Sequence, residues 1–331
     1  MIGICVDKRT ELLGLMLRLS NYKDVVPNMF DNNFYPEYER LTIEYLKPYI
    51  NHKIINELNS IIKEFGVDFA YGRPIELFMQ MDESYNFLGV NSEPFKTRLK
   101  GSDRILKFLN SVKDFVKDID FELFYMQNED FYMQCVKDYE KLVRQNEKAL
   151  FDFLSDFYMT NIDPNGYCIN LLLHQCSGSN GIKTGEKVYC HEGAYRKISL
   201  NPSAGEIVGY LAHLIHEFSH PIINPLTEKY RYQFGDKIKN VLCNISMEAG
   251  YSGVNTYINE TLVRSIQTYF AEKMFGKTLK NSYTNHSKQG FNQVEFIVSK
   301  LHKMESKQYK NFEEKYIELL NALIPDLMIN D

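Results

Sequence analysis

No CxxC pair and no dense cysteine framework occurs in this chain, although it holds six cysteines, Cys5, Cys135, Cys168, Cys176, Cys190 and Cys243. Thiols scattered in this way argue against a disulfide-stapled module and predict reduced cysteines in a cytoplasmic protein. A basic excess is lacking too. Lys plus Arg number 38 against 43 Asp plus Glu, a formal charge of −5, so neither nucleic acid nor an anionic membrane is expected as a partner. No run is apolar for long enough to span a bilayer. The early stretch LLGLMLRL follows Asp7 and Glu11, contains Arg18 and lacks a small-residue cleavage site, so it predicts a buried helix and not a signal. Internal repeats and low-complexity linkers are also missing, which leaves a composition shift as the only candidate domain boundary. The remainder is that of a soluble globular protein: 44% hydrophobic and 24% charged over 331 residues, enough to bury a substantial core.

Residues 1–162 are patterned as a helical N-terminal region. Helices are expected over 10–19, capped by Thr10, over 36–50, with Pro36 at the start and Pro48 as a stop or kink, and over 52–65, closed by Gly66. The same 3.6-residue periodicity predicts helices over 102–116, 129–143 and 146–159. Their aromatics, among them Phe108, Phe131 and Phe157, read as core packing. At Asp163-Pro164-Asn165-Gly166 the pattern changes, and residues 163–331 are taken as the second region, integrated with the first into one unit. Strands are expected over 167–175, 187–190 and 194–200, with turns at 178–181 and 191–193, forming a small antiparallel sheet packed on the next helix. Further helices are expected over 236–249, 256–275, 293–304 and 312–323. The fold class is therefore α+β and mostly helical.

That next helix carries the chemistry. LAHLIHEFSHPIINP contains His216, Glu217 and His220 in the order HExxH. On a helix the two histidines stand one turn apart on one face, so both imidazoles reach one cation, while Glu217 lies about 100° round, placed to take a proton from water. Chance alone yields HExxH about once in a hundred chains of this composition, so context must decide. Ser203 and Glu206 have capping-box spacing, and Ile207, Val208, Leu211, Leu214, Ile215 and Phe218 make the helix a buried one. Imidazoles and a carboxylate there are costly unless paired or metal-bound. Pro221 is expected to end or kink the helix directly after His220, with Asn224 and Pro225 in a turn.

A catalytic zinc site has three protein ligands and an open position. A metzincin-type third histidine is missing, because Ile223 and Leu226 occupy its pattern. Glu228, Asp236, Glu248 and Glu260 remain as candidates. Glu260 is preferred, since the run YINETLVR sets it in the first turn of a separate helix, with Arg264 one turn on to orient its carboxylate or bind a substrate carboxylate. His213 and Asn224 are candidates for hydrogen bonding around the ligands, and Tyr257, Tyr283 and His286 are candidate oxyanion donors.

HExxH followed by Asn-Glu on a second helix resembles the gluzincin metallopeptidases. More closely, VDKRTELLGLMLRL, HEFSHPIINP and NETLVR together resemble a bacterial family of unknown function predicted to be metallopeptidase-like. The resemblance implies a zincin-like catalytic part with one zinc ion on His216, His220 and Glu260, Glu217 as general base, and a peptide or protein substrate. It also implies an edge strand, within 167–176 or the hairpin after it, along which an extended peptide lies. The span from His220 to Glu260 exceeds that of the best-known gluzincins, and Glu248 is the reserve ligand.

Two rivals stand beside the peptidase reading. Cys168, His174 and Cys176 share parity on one expected strand, so they could instead hold a structural zinc in a binding protein. The second rival is a pseudopeptidase that keeps the fold as a platform, against which the intact Glu217 argues.

Overall fold

The computed structural model describes residues 1–27, 29–30, 35–91, 96, 102–175, 178–193, 202–231 and 253–329. Among these are twelve α-helices and one four-stranded sheet, so the chain is a mostly helical α+β protein. It divides into two compact units, each assembled from separate stretches of sequence. One comprises Ile2–Val143 and Tyr167–Leu200; the other comprises Met1, Arg144–Gly166 and Asn201–Asp331.

The first unit holds the sheet, with strands β1 (Gly3–Cys5), β2 (Tyr167–Leu172), β3 (Ser179–Thr184) and β4 (Lys187–Gly193) in the order β1-β2-β4-β3. The pairs β1/β2 and β2/β4 are parallel, and only β3/β4 is antiparallel. The sheet is thus mixed, where an antiparallel one was expected. Strand β2 is interior, buried at every position after Tyr167, which is why YCINLL reads as an unbroken apolar run. The edges are β1 and β3. Strand β3 begins inside the expected 178–181 turn, and the expected 191–193 turn is part of β4. The tight connection is instead Gly185-Glu186, where Gly185 has φ +58°, the left-handed backbone that the first position of a type II′ hairpin loop needs. The expected strand over 194–200 and helix over 236–249 lie outside the described residues.

Helix Lys8–Leu19 buries Leu12, Leu13, Leu15, Met16 and Leu17, in keeping with its apolar sequence. Its cap is Asp7, whose side chain accepts from the Arg9 amide; the expected cap, Thr10, lies inside the helix and its hydroxyl donates to the Asp7 carbonyl. Helix Lys53–Phe65 buries Ile54, Ile55, Leu58, Ile61 and Ile62 and stops at Gly66, as its periodicity predicts. The helices expected over 129–143 and 146–159 are one, Glu129–Tyr158. The interruption in its apolar stripe falls where the helix leaves one unit for the other, after Val143, and no Gly or Pro breaks the backbone there.

The second unit is all helical among the described residues. Helices Ala204–Tyr230 and Val254–Phe275 make its most extensive pairing. Helices Lys280–Lys288, Val294–Met304 and Phe312–Ile329 complete it. Phe151 and Phe218, and Phe153 and Phe270, pack ring against ring inside this unit, at 6.4 Å and 4.8 Å between centroids.

Candidate metal centre

Helix Ala204–Tyr230 is held at its start by a complete capping box: the Glu206 amide donates to Ser203 Oγ at 3.3 Å, and the Ser203 amide donates to Glu206 Oε2 at 2.7 Å. Leu211, Leu214, Ile215, Phe218 and Ile223 are buried along it. It runs through Pro221 and Pro225 without ending, contrary to the stop expected after His220, and Asn224 is helical. A proline removes one donor of the ladder, but the packing of this face against Val254–Phe275 outlasts that local loss. The second helix opens at the extended Gly253, which sets Glu260 in its second turn.

Across the pair, His216 Nε2 and His220 Nε2 stand 3.2 Å apart. Glu260 Oε1 is 3.4 Å from His220 Nε2, and Glu260 Oε2 is 3.8 Å from His216 Nε2. All three side chains are nearly closed off, at 12%, 13% and 14% exposure. Arg264 Nε donates to Glu260 Oε2 at 3.1 Å, its Nη1 donates to Gln289 Oε1 at 2.8 Å, and its guanidinium lies 4.4 Å from the Phe291 ring centre. The outer nitrogens of both imidazoles meet amide oxygens: His216 Nδ1 is 3.1 Å from Gln267 Oε1, and His220 Nδ1 is 3.3 Å from Asn224 Oδ1.

That arrangement decides which nitrogens are donors to a metal. An amide oxygen only accepts, so with the amides oriented this way each Nδ1 carries a proton, and a ring in its neutral form then presents its lone pair at Nε2. Burial holds His216 well below the usual histidine range, and His220, Arg264 and His213 push it the same way, so the ring is neutral. With both rings in that form two lone pairs face each other at 3.2 Å, an arrangement that a cation between them relieves. A tetrahedral zinc ion with donors about 2.0–2.1 Å away sets those donors about 3.3–3.4 Å apart. The spacings of 3.2 and 3.4 Å match that figure, the third, 3.8 Å, is longer, and two imidazoles with one carboxylate are a donor set zinc accepts.

Glu217 is buried and lies beside the pair, with a carboxylate oxygen within 4.8 Å of a ring nitrogen of each histidine. His213, one turn earlier, has Nε2 4.0 Å from Glu217 Oε1, next to the acid and not in the ligand set. Glu228 is bound elsewhere, accepting from Asn255 Nδ2 at 2.8 Å and pairing with Arg231; Asp236 and Glu248 lie outside the described residues. The three oxyanion candidates have other partners. Tyr283 donates to Glu272 Oε1 at 2.7 Å, twelve residues and about 18 Å along the helix from Glu260. His286 Nε2 is 3.1 Å from Thr268 Oγ1, with burial and Arg264 holding the ring down to about 4. Tyr257 donates to Gln293 Oε1 at 2.6 Å and stacks on Phe291.

Two residues of the rival cysteine site are described, and each has neighbours of its own. Cys168 Sγ is 3.5 Å from Cys5 Sγ at the start of β2, whereas His174, beyond the end of that strand, has Nε2 2.6 Å from Glu11 Oε1; Cys176 lies outside the described residues. Glu11 also accepts from the Tyr38 hydroxyl, which lies 2.7 Å from that of Tyr132, so His174 belongs to a buried polar cluster of its own. Sequence reasoning missed that cluster and missed Gln267. An acceptor two turns beyond Glu260 could have been looked for at position 267 once Glu260 was chosen, because residues seven apart share a helix face.

The chain belongs to the family described as a domain of unknown function (DUF4932), which it matches over residues 2–322. No curated protein and no solved structure matches it.

Proposed function

We propose that this member of the family is a zinc-dependent hydrolase of peptide bonds, with one ion held by His216, His220 and Glu260. The observation that carries the reading is the convergence of two Nε2 lone pairs and one carboxylate at 3.2–3.8 Å, each Nδ1 being tied back to an amide oxygen. Zinc bound there supplies Lewis acidity, which brings the ionisation of water towards about pH 7 and polarises a carbonyl. Glu217 acts as the general base: it accepts the proton of the attacking water and returns it to the leaving amine. His213, 4.0 Å from Glu217 Oε1, helps hold that carboxylate. Arg264 fixes Glu260 through Oε2, which keeps the carboxylate turned to the histidines. The substrate is a peptide or protein. The site of action is the cytoplasm, which suits the unbridged Cys5, Cys135, Cys168 and Cys190.

Metal analysis beside a peptide-library digest tests this. The wild type and Glu217→Gln are expected to carry about one zinc each, with cleavage by Glu217→Gln lower by about 10²–10⁴-fold. The double variant His216→Ala, His220→Ala is expected to carry none. A wild type without zinc, or full cleavage by Glu217→Gln, overturns the reading.

A further inference from the structure

We infer that Gln267 is a positioning residue for this centre: its side-chain oxygen fixes His216 as the Nδ1–H tautomer and leaves Nε2 as the ring's only lone-pair donor. The inference rests on the reading that His216 and His220 hold a metal. Gln267 follows Glu260 by seven residues on helix Val254–Phe275, two turns on and within about 20° of the same direction. One helix therefore addresses the His216 ring at both nitrogens, Glu260 Oε2 at 3.8 Å from Nε2 and Gln267 Oε1 at 3.1 Å from Nδ1.

His220 is served differently. Its Nδ1 meets Asn224, one turn further along its own helix, at 3.3 Å. The tautomer of His220 is thus set locally, whereas that of His216 depends on how two helices are registered against each other. Both outer partners are neutral amides, so they orient the rings without adding charge. The carboxylate of Glu260, bonded to Arg264, is the negative charge within the donor set. An acid at position 267 would keep the acceptor and add a second charge beside the cation.

These features make two substitutions informative in opposite directions. Gln267→Met keeps length and apolar stem but has no amide acceptor, and Gln267→Glu keeps the acceptor and adds charge. Zinc affinity is read by competition with a chromophoric chelator, and the His216 tautomer by ring ¹⁵N shifts of the metal-free protein. Gln267→Met is expected to bind zinc about 10–100-fold more weakly and to lose the single Nδ1–H form, while Gln267→Glu binds at least as tightly as the wild type. A side chain that merely fills space gives the reverse order, Met tolerated and Glu harmful. Wild-type affinity and an unchanged ring tautomer in Gln267→Met overturn the inference. If the wild type itself binds no zinc, the metal reading fails and the ring shifts alone judge Gln267: an Nδ1–H ring that becomes mixed in the Met variant upholds its role, and an unchanged ring overturns it.

Discussion

His191, on the interior strand β4, shows what enclosure does to an imidazole. Its residue is fully buried, Nδ1 is 2.9 Å from Asn170 Nδ2, and Nε2 has no hydrogen-bond partner among the described residues. Burial holds it down to about 3, Arg9 acting the same way and Asp7 against. Between that value and the usual 6.5 the unfolded chain binds a proton that the folded chain does not, so stability falls on acidification by about 1.4 kcal/mol per pH unit. Urea unfolding stepped from pH 6 to 4.5 should show a shallower loss in His191→Gln by that amount; parallel curves would mean that the folded protein takes up the proton at His191 after all. At this scale the HExxH spacing made the two rings and the acid legible, because helix geometry alone brings positions 216 and 220 together. Glu260 was legible as an acid on a second helix. The seven-residue spacing puts Gln267 on the face of Glu260, but its meeting with His216 was not legible, since that depends on the register of one helix against another.

Elements were legible where the signal is local and lost where packing overrides it. Ser203 and Glu206 marked the start of the site helix because each satisfies the other's backbone amide. Ser203→Ala should therefore cost about 1 kcal/mol in denaturant unfolding. It should leave zinc affinity unchanged, His216 being about 20 Å further along the helix. An affinity loss equal to that of Gln267→Met would show that fraying at the cap reaches the site. Pro221 and Pro225 misled in the other direction. A missing amide predicts a break, yet the helix runs on to Tyr230 because its buried face is paired along Val254–Phe275. The sheet misled for a related reason: β1 is three residues long, too short for any periodicity, and its partner Cys168 stands at the far side of a long helical stretch.

On the scale of the whole molecule, the chain builds two compact units that exchange segments, residues 167–200 joining the first and residues 144–166 the second. A composition shift marks a single point on the chain, so patterning of this kind expresses a two-way split and has no means of expressing an interleaved one. The donors of the proposed centre all lie in the second unit, on Ala204–Tyr230 and Val254–Phe275. A ligand that binds only the folded form stabilises it by about 2.7 kcal/mol at one hundred times its dissociation constant, and that energy acts on whichever cooperative unit holds the donors. Hydrogen exchange with and without excess zinc should then show slower exchange in peptides from residues 204–230 and 254–275, with peptides from 8–19 and 53–65 unchanged. Uniform slowing would mean that both units open in one cooperative event, because only then does energy deposited between two helices protect amides in the other unit. Exchange unchanged in every peptide would leave the two facing lone pairs without a cation, and the centre would lose its thermodynamic support.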